Sequence, residues 1–421
     1  MREPTARAQA VALIDGVLGE GRLLSEMTAG GAFDRLDPAQ RARAQRLATD
    51  TLRGLERADR LLARHLRKSP PLHVRNILRL GTVEICMGGA GHGIVNEMVG
   101  LVGAHPRYGR HKGLVNAVLR KIAGGGSAPW RDLRIPRLPR WLREPLVAAW
   151  GNGAVAAMEK AHFAGAPLDL TAREDDAALA RDLGGELLPT GSVRLARAGQ
   201  VSALPGYAEG RWWVQDAAAA MPVRLLAPDP GEAVLDLCAA PGGKTLQLAS
   251  AGARVTALDI SPARMTRLQE NLARTGLTAE CVTGDALAHH GGPYDAVLLD
   301  APCSATGTIR RHPDLPHARD GSEIGRLIDL QAQLIDHALS LLKPGGRLMF
   351  CTCSLLPDEG ECQIEAALAR HDGLRVEQAA RDRPWVEPGW ITAEGGLRLR
   401  PDYWPERGGM DGFYMALLRR G

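Results

Sequence analysis

Cysteine is scarce in this chain of 421 residues, and its spacing excludes more than it offers. The seven are Cys86, Cys238, Cys281, Cys303, Cys351, Cys353 and Cys362, with no Cys-x-x-Cys pair. An odd count without that spacing speaks against a disulfide framework and a zinc ribbon. Cys351 and Cys353, one residue apart in FCTCSLL, are also poor disulfide partners, because their Cα atoms on an extended chain sit near the upper separation limit. A metal site on Cys303, Cys351, Cys353 and a histidine lacks ordinary ligand spacing, so no metal is expected. No apolar run approaches the roughly 18 residues of a membrane span. The first residues, MREPTARAQAVALIDGVLGE, are interrupted by Asp15 and lack the apolar core of a signal peptide. These absences predict a cytoplasmic protein with free thiols. Repeats and low-complexity tracts are missing as well.

What is present reads as a globular chain long enough for two or three domains. Its charge is lopsided. Residues 1–125 carry 20 Lys+Arg against 11 Asp+Glu, and the remainder carries 32 against 37. A basic module joined to a mildly acidic one suggests that the first part meets a polyanion, nucleic acid above all. The plainer alternative is a helical domain with a solvated basic face.

The spacing of apolar residues at three and four predicts helices through most of residues 1–123. Examples are ARAQAVALIDGVL, PAQRARAQRLATDTLRGLERADRLLARHL, HVRNILRLGTVEICM and KGLVNAVLRKI. Ser69-Pro70-Pro71 breaks one helix before the next, and Gly88 to Gly93 reads as a flexible turn. GGGSAP at 124–129 resembles a linker. Residues 130–210 are mixed, as in a small α+β connector. From about Arg211, β-rich runs alternate with helical segments: AVLDLCAA, RVTALDI, ECVTGDA, YDAVLLDAP, RLMFCTC and FYMALLRR. That alternation predicts an α/β domain with a mainly parallel sheet. Ser261-Pro262 is an N-cap followed by proline at the first helical position. Lys343-Pro344-Gly345-Gly346 is expected to turn from a helix into the strand RLMFCTC.

Three motifs fall at predicted strand ends. In VLDLCAAPGGKT, a strand gives way to small residues and glycines and then to a helix, so a ligand can approach the backbone at a helix N-terminus. The pattern is neither Gly-x-Gly-x-x-Gly nor Gly-x-x-x-x-Gly-Lys-Ser/Thr, and dinucleotide and P-loop readings fit it badly. The next strand ends in Asp259, suited to ribose hydroxyls, and the third in Gly284-Asp285, on the adenine side. S-adenosylmethionine fits this set better than NAD, since no pyrophosphate cradle accompanies it. Each acid taken alone would read as a cap or turn residue.

The second motif is DAPCSATG, residues 300–307. Amino-group methyltransferases often carry Asn-Pro-Pro-Tyr at this place. Here an acid and a thiol replace that pattern, which argues for attack on a ring carbon. The third is TCSLLPDEGE at the end of the fifth strand. Cys303 and Cys353 thus both lie at the sheet edge where open α/β folds bind ligands. Cys86, Cys281 and Cys362 read as small buried hydrophobes, and Cys351 as strand packing. Arg310-Arg311-His312-Pro313-Asp314 is expected to hold the RNA backbone, with a solvated loop as the alternative.

Together DLCAAPGGKT, DAPCSATG and TCSLLPDEGE resemble the Sun-type RNA 5-methylcytosine methyltransferases, and the basic helical part resembles a NusB-like RNA-binding domain. The pairing is similar to the bacterial ribosomal RNA small-subunit methyltransferase B branch. LLARHLRKSP, NILRLGTVEI, VQDAAA and DGFYMALL extend the likeness over nearly the whole chain. EICMGGAGHGIVNEMV and PLDLTAR depart from the branch pattern. The resemblance implies an all-α NusB-like domain over 1–125, an α+β connector over 126–210, and a Rossmann-like adenosylmethionine-dependent methyltransferase domain over 211–421.

It also implies roles. Cys353 is expected to add to carbon 6 of cytosine, which makes carbon 5 nucleophilic. This is covalent catalysis, and the thiolate is the reactive form. Cys303 is expected to assist product release, although DNA cytosine methyltransferases use a Pro-Cys thiol as nucleophile. Asp300 is placed to hydrogen-bond the N3/N4 edge of the base or to lie near the sulfonium. Cys238, Ala239, Ala240, Pro241, Gly242, Gly243 and Lys244 line the methionine side of the cofactor, with Asp259 at the ribose and Asp285 at the adenine. Lys244 either lines the cofactor or orients Asp300. The implied partner is RNA, 16S rRNA foremost, presented single-stranded or flipped out, and the default state is a monomer. The alternatives are the same chemistry on tRNA or another RNA, and a non-catalytic RNA-binding assembly factor.

Overall fold

The computed structural model describes residues 5–125, 128–196 and 199–421. It forms two compact units, residues 1–164 with 309–320, and residues 165–308 with 321–421. Gly126 and Ser127 of the expected linker lie outside the described residues, and the first unit continues to Ala164.

The first unit is helical: α1 (Ala6–Glu20), α2 (Leu24–Ala29), α3 (Pro38–Arg53), α4 (Leu55–Ala63), α5 (Leu72–Cys86), α6 (Gly91–Ala104), α7 (Lys112–Gly125), α8 (Ala128–Arg131) and α9 (Arg140–Ala164). The starts follow capping chemistry. Thr5 accepts from the Ala8 amide, and Asp37 accepts from Gln40 with Pro38 as the first helical residue. The long run from Pro38 is two helices, because the chain changes direction at Gly54. Gly91 opens α6, so half of the glycine-rich segment expected as a turn is helical. Helix α5 is the axis of the unit, with Val74, Ile77, Leu78, Leu80, Val83 and Ile85 all buried. Each such side chain contributes roughly 1.5–3 kcal/mol of burial.

The second unit begins with a small antiparallel sheet: β1 (Leu168–Ala172), then α10 (Asp176–Leu183), β2 (Glu186–Leu187), β3 (Val193–Leu195) and β4 (Trp212–Val214), in the order β2-β3-β1-β4. The large sheet follows with α11 (Ala217–Leu226), β5 (Ala233–Leu237), α12 (Gly243–Ser250), β6 (Arg254–Asp259), α13 (Pro262–Thr275), β7 (Glu280–Thr283) and β8 (Tyr294–Asp300). Here the chain contributes 309–320, with α14 (Leu315–Ala318), to the first unit. It resumes as α15 (Ile324–Ser340), β9 (Leu342–Thr352), α16 (Glu361–Arg370), β10 (Arg375–Val376), β11 (Leu397–Leu399) and β12 (Phe413–Arg419). The order is β10-β12-β9-β8-β5-β6-β7, with β11 paired to β12. The five strands from β9 to β7 are parallel, and β12 is antiparallel to β9. Lys343–Gly346 lies inside β9 as an irregularity, where pairing slips from Tyr294↔Leu342 to Ala296↔Arg347.

The run expected to hold RNA is in part a structural element of the first unit. Arg310 and Asp314 are buried, Asp314 accepts from the Leu24 amide at 2.8 Å, and Arg53 donates to the Arg310 carbonyl at 3.0 Å. Arg310 looks like a phosphate ligand until its burial is known, whereas Arg311 is exposed.

A buried ion pair ties the small sheet to the large one. Arg194 binds both carboxylate oxygens of Asp169, at 2.7 and 2.6 Å, and donates to the carbonyls of Arg407 and Gly409. Asp169 also accepts from the Ala217 amide at the start of α11. Removing one partner leaves an uncompensated buried charge. Arg194→Met is expected to cost about 3–5 kcal/mol in denaturant unfolding, and the Arg194→Met/Asp169→Leu double variant should recover part of that loss.

Candidate active site

Strand β5 comes first in the parallel sheet and sits at its centre, with β6 and β7 on one side and β8 and β9 on the other. The chain therefore leaves β5 in both directions, which opens a crevice at the carboxyl ends of the strands. The turn Cys238–Gly242 follows β5, Asp259 ends β6, Asp285 follows β7, Asp300 ends β8, and Cys351 and Cys353 lie at the end of β9. Every site residue read from the sequence is thus on this one edge. The acids suited to a nucleoside lie on the β6–β7 side, and the thiols on the β8–β9 side.

The β5 turn is shaped for close approach. Gly242 has φ +105°, and a Cβ there would come within 2.8 Å of Leu268. Asp259, fully buried, accepts from the Ala240 amide at 3.1 Å and the Ser261 amide at 2.9 Å. These two bonds fix the turn to the end of β6. Asp285 is exposed and accepts from the Leu287 amide at 3.0 Å. Burial and then Asp300 push the Cys238 thiol up to about 12, so it is neutral. A turn bare of bulky side chains with carboxylates at successive strand ends fits a nucleoside bearing a cationic amino-acid tail.

Lys244 on α12 pairs with Asp300. Its Nζ lies 2.8 Å from Asp300 Oδ2 and 4.9 Å above the Phe413 ring. Burial works against its charge, but Asp300 outweighs burial and the pKa is raised. The other Asp300 oxygen takes a contact from Cys351 Sγ at 3.6 Å. Burial, reinforced by Asp300, holds the Cys351 thiol well above its usual range, so it stays protonated. Beneath the pair, Asp236 accepts from Thr245 at 2.5 Å, and its other oxygen has no partner. Burial pushes Asp236 up to about 7, with Thr245 opposing and Asp300 adding.

Cys303 and Cys353 meet with their sulfurs 3.5 Å apart. The Cys353 contact, followed by burial, raises the Cys303 thiol well above its usual range, so Cys303 keeps its proton. The loops that carry them converge on Glu359. Its Oε1 accepts from the Ser304 amide at 2.9 Å and from Gln331 at 3.1 Å. Its Oε2 accepts from the Ser304 hydroxyl at 2.5 Å and the Ser354 hydroxyl at 2.6 Å. The Gly307 amide donates to the Cys353 carbonyl at 2.9 Å, and a Cβ on Gly307 would meet the Gly412 carbonyl at 2.0 Å, so only glycine fits.

Glu359 lies within the TCSLLPDEGE motif, yet its role was not read there; its burial depends on Ser304, 55 positions away. One expectation is corrected. Cys362 is exposed, because it falls on the outer face of α16, whereas Cys86 is buried and Cys281 half-buried. Among the described residues no group of three His, Cys, Asp or Glu side chains could hold a metal ion, and no helix is long and apolar enough to cross a membrane.

Sheet order, glycine turn and strand-end acids define an S-adenosylmethionine-dependent methyltransferase joined to a helical domain. The family described as 16S rRNA methyltransferase RsmB/F matches residues 223–419, and the NusB family matches residues 4–124. Ribosomal RNA small subunit methyltransferase B of Pseudomonas syringae pv. tomato is 36% identical, covering 99% of this chain and 97% of its own. Its counterpart in Pseudomonas putida is also 36% identical, covering 99% and 98%. A solved structure, a methyltransferase homolog protein from Pyrococcus horikoshii, is 27% identical with a TM-score of 0.57, over 66% of this chain and 94% of that one. This chain belongs to the ribosomal RNA small subunit methyltransferase B family.

Two variants test the site's framework. Glu359→Gln should keep most stability and activity, because the Ser304 and Ser354 hydroxyls can turn from donor to acceptor. Glu359→Ala leaves buried donors unpaired and should cost about 3 kcal/mol, with methylation lost along with thermal stability. Asp236 binds a proton in the fold that the unfolded chain releases near pH 4. Its contribution is full below that pH and falls as pH rises to about 7. Asp236→Asn should therefore lose less Tm than wild type between pH 4 and 7, read by calorimetry.

Proposed function

We propose that this protein methylates carbon 5 of a cytosine in 16S rRNA, with Cys353 as nucleophile and Cys303 as the group that frees the product. The observation that carries this reading is the pair of sulfurs 3.5 Å apart beside the Asp300–Lys244 ion pair. S-adenosylmethionine, when bound, supplies an electrophilic methyl group. Cys238 to Lys244 hold its methionine side, Asp259 its ribose and Asp285 its adenine. Asp300, oriented by Lys244 and still a third exposed, takes the N3/N4 edge of the base. The Cys353 thiolate adds to carbon 6, forming a carbon–sulfur bond and making carbon 5 enamine-like. Once carbon 5 is methylated, its proton passes to solvent, the electrons of that C–H bond form the 5,6 double bond, and the carbon–sulfur bond breaks with its electron pair returning to the Cys353 sulfur. Cys303, which holds its proton next to that sulfur, assists the elimination.

In the same reading residues 1–125 bind RNA, 126–210 connect, and 211–421 carry out the chemistry in a cytoplasmic monomer. The target base reaches the crevice unpaired or flipped. Denaturing gels with adenosylmethionine and 16S rRNA test the thiol roles. Cys303→Ala should accumulate a covalent protein–RNA adduct, and Cys353→Ala should neither trap nor methylate. An adduct that needs Cys303 and survives loss of Cys353 reverses the roles. Methylation of tRNA in place of 16S rRNA would move the same chemistry to another substrate.

A further inference from the structure

Most carboxylates of the helical unit already have cationic partners. Asp59 binds Arg75 and Arg79, Glu84 binds Arg7 and Arg43, Glu97 binds Arg7, Glu56 binds Arg60 and Arg134, and Asp50 binds Arg53. Of the exposed cations that form no ion pair among the described residues, six fall on two segments that flank one cleft, while others such as Arg35, Arg46 and Lys160 lie elsewhere on the unit. Arg64, Arg67 and Lys68 follow α4, and Arg107, Arg110 and Lys112 lie around the turn from α6 to α7.

These segments face each other across a cleft of about 560 Å³. His65, Arg67 and Lys68 line one wall, His111 and Leu114 the other, and no carboxylate lines it. His111 Nε2 is buried there without a hydrogen-bond partner. Next to the cleft is a cluster of rings, with His105 and Tyr108 at 4.5 Å, His73 and His105 at 4.8 Å, and Tyr108 and His111 at 6.5 Å. The one acid in this cluster, Asp15, is held by His73 at 2.6 Å and by Asn76 at 2.7 Å.

We propose that this cleft holds a single-stranded stretch of the substrate RNA. The cations contact successive phosphates, and the His105–Tyr108 rings offer a stacking face for a base. Arg67 and Lys68 line the cleft, and Arg64 before it and Arg110 and Lys112 beside His111 extend the charge past its ends, a spread that suits a polymer rather than one free phosphate. Basic walls beside aromatic faces are how single strands are held without sequence readout. The inference rests on the rRNA reading above and adds a place where the helical unit grips the substrate.

The test is fluorescence anisotropy of the full-length protein with a labelled 16S rRNA fragment over a range of salt. The cleft variant is Arg67→Gln/Lys68→Gln/Arg110→Gln. A control, Arg35→Gln/Arg46→Gln/Lys160→Gln, removes the same charge from exposed positions outside the lining of the cleft. With both folded by circular dichroism, the cleft variant should bind about tenfold more weakly, and its slope of log K against log salt should fall by about 2, near 0.7 per lost phosphate contact. The control should stay within about threefold. Adenosylmethionine binding by calorimetry should be unchanged in both, and the cleft variant should raise KM while keeping kcat. Tyr108→Leu should weaken binding with no change in salt slope. Equal losses in cleft and control variants, or none in either, overturn the cleft while leaving the enzyme reading intact. A wild-type protein that neither binds nor methylates the fragment overturns the rRNA reading itself.

Discussion

One buried carboxylate holds the two thiols together. Glu359 has no exposed surface, and its oxygens accept from Ser304 on the loop after β8 and from Ser354 on the loop after β9. Gln331 braces it from α15 and also donates to the Pro302 carbonyl, next to Cys303. Charge-assisted bonds of this kind are roughly twice as strong as neutral ones. Loops after separate strands would otherwise move independently, and a contact of 3.5 Å between sulfurs needs both held at once.

The sheet supplies the second constraint. Because β5 is central, the glycine turn stands between the acids of β6 and β7 and the thiols of β8 and β9. Lys244 starts from that turn and reaches Asp300 across the switch point. A methyl donor and a base can thus be served from opposite halves of one edge. The titrating groups follow this division. Cys238, Cys303 and Cys351 are all pushed upward by burial and neighbours, which keeps them protonated around the reacting centre.

Much of this was legible in the sequence, because strand-end motifs combine a β-rich run with residues that only an active edge needs. The Ser261-Pro262 start of α13 was legible for local reasons, and Ser261 does accept from the Arg264 amide. What escaped depends on distant contacts. Glu359 sits in the acidic run Asp358-Glu359-Gly360-Glu361, where nothing local marks it as buried. Arg310 reads as a phosphate ligand and is buried. Cys362 reads as a packed thiol and faces out, since one residue's offset on α16 decides its side. The pairing of Lys244 with Asp300 joins residues 56 positions apart and has no local signal.

The most direct test of the account is binding of a trivalent arsenical, which requires two neighbouring thiols. Mass spectrometry of the intact folded protein would read the stoichiometry, and peptide mapping would read the site. The account predicts one arsenical bridging Cys303 and Cys353, lost in either serine variant, retained in Glu359→Gln and strongly weakened in Glu359→Ala. No bridge in the folded wild type, or equal binding by Glu359→Ala, would contradict the claim that this carboxylate sets the two thiols side by side.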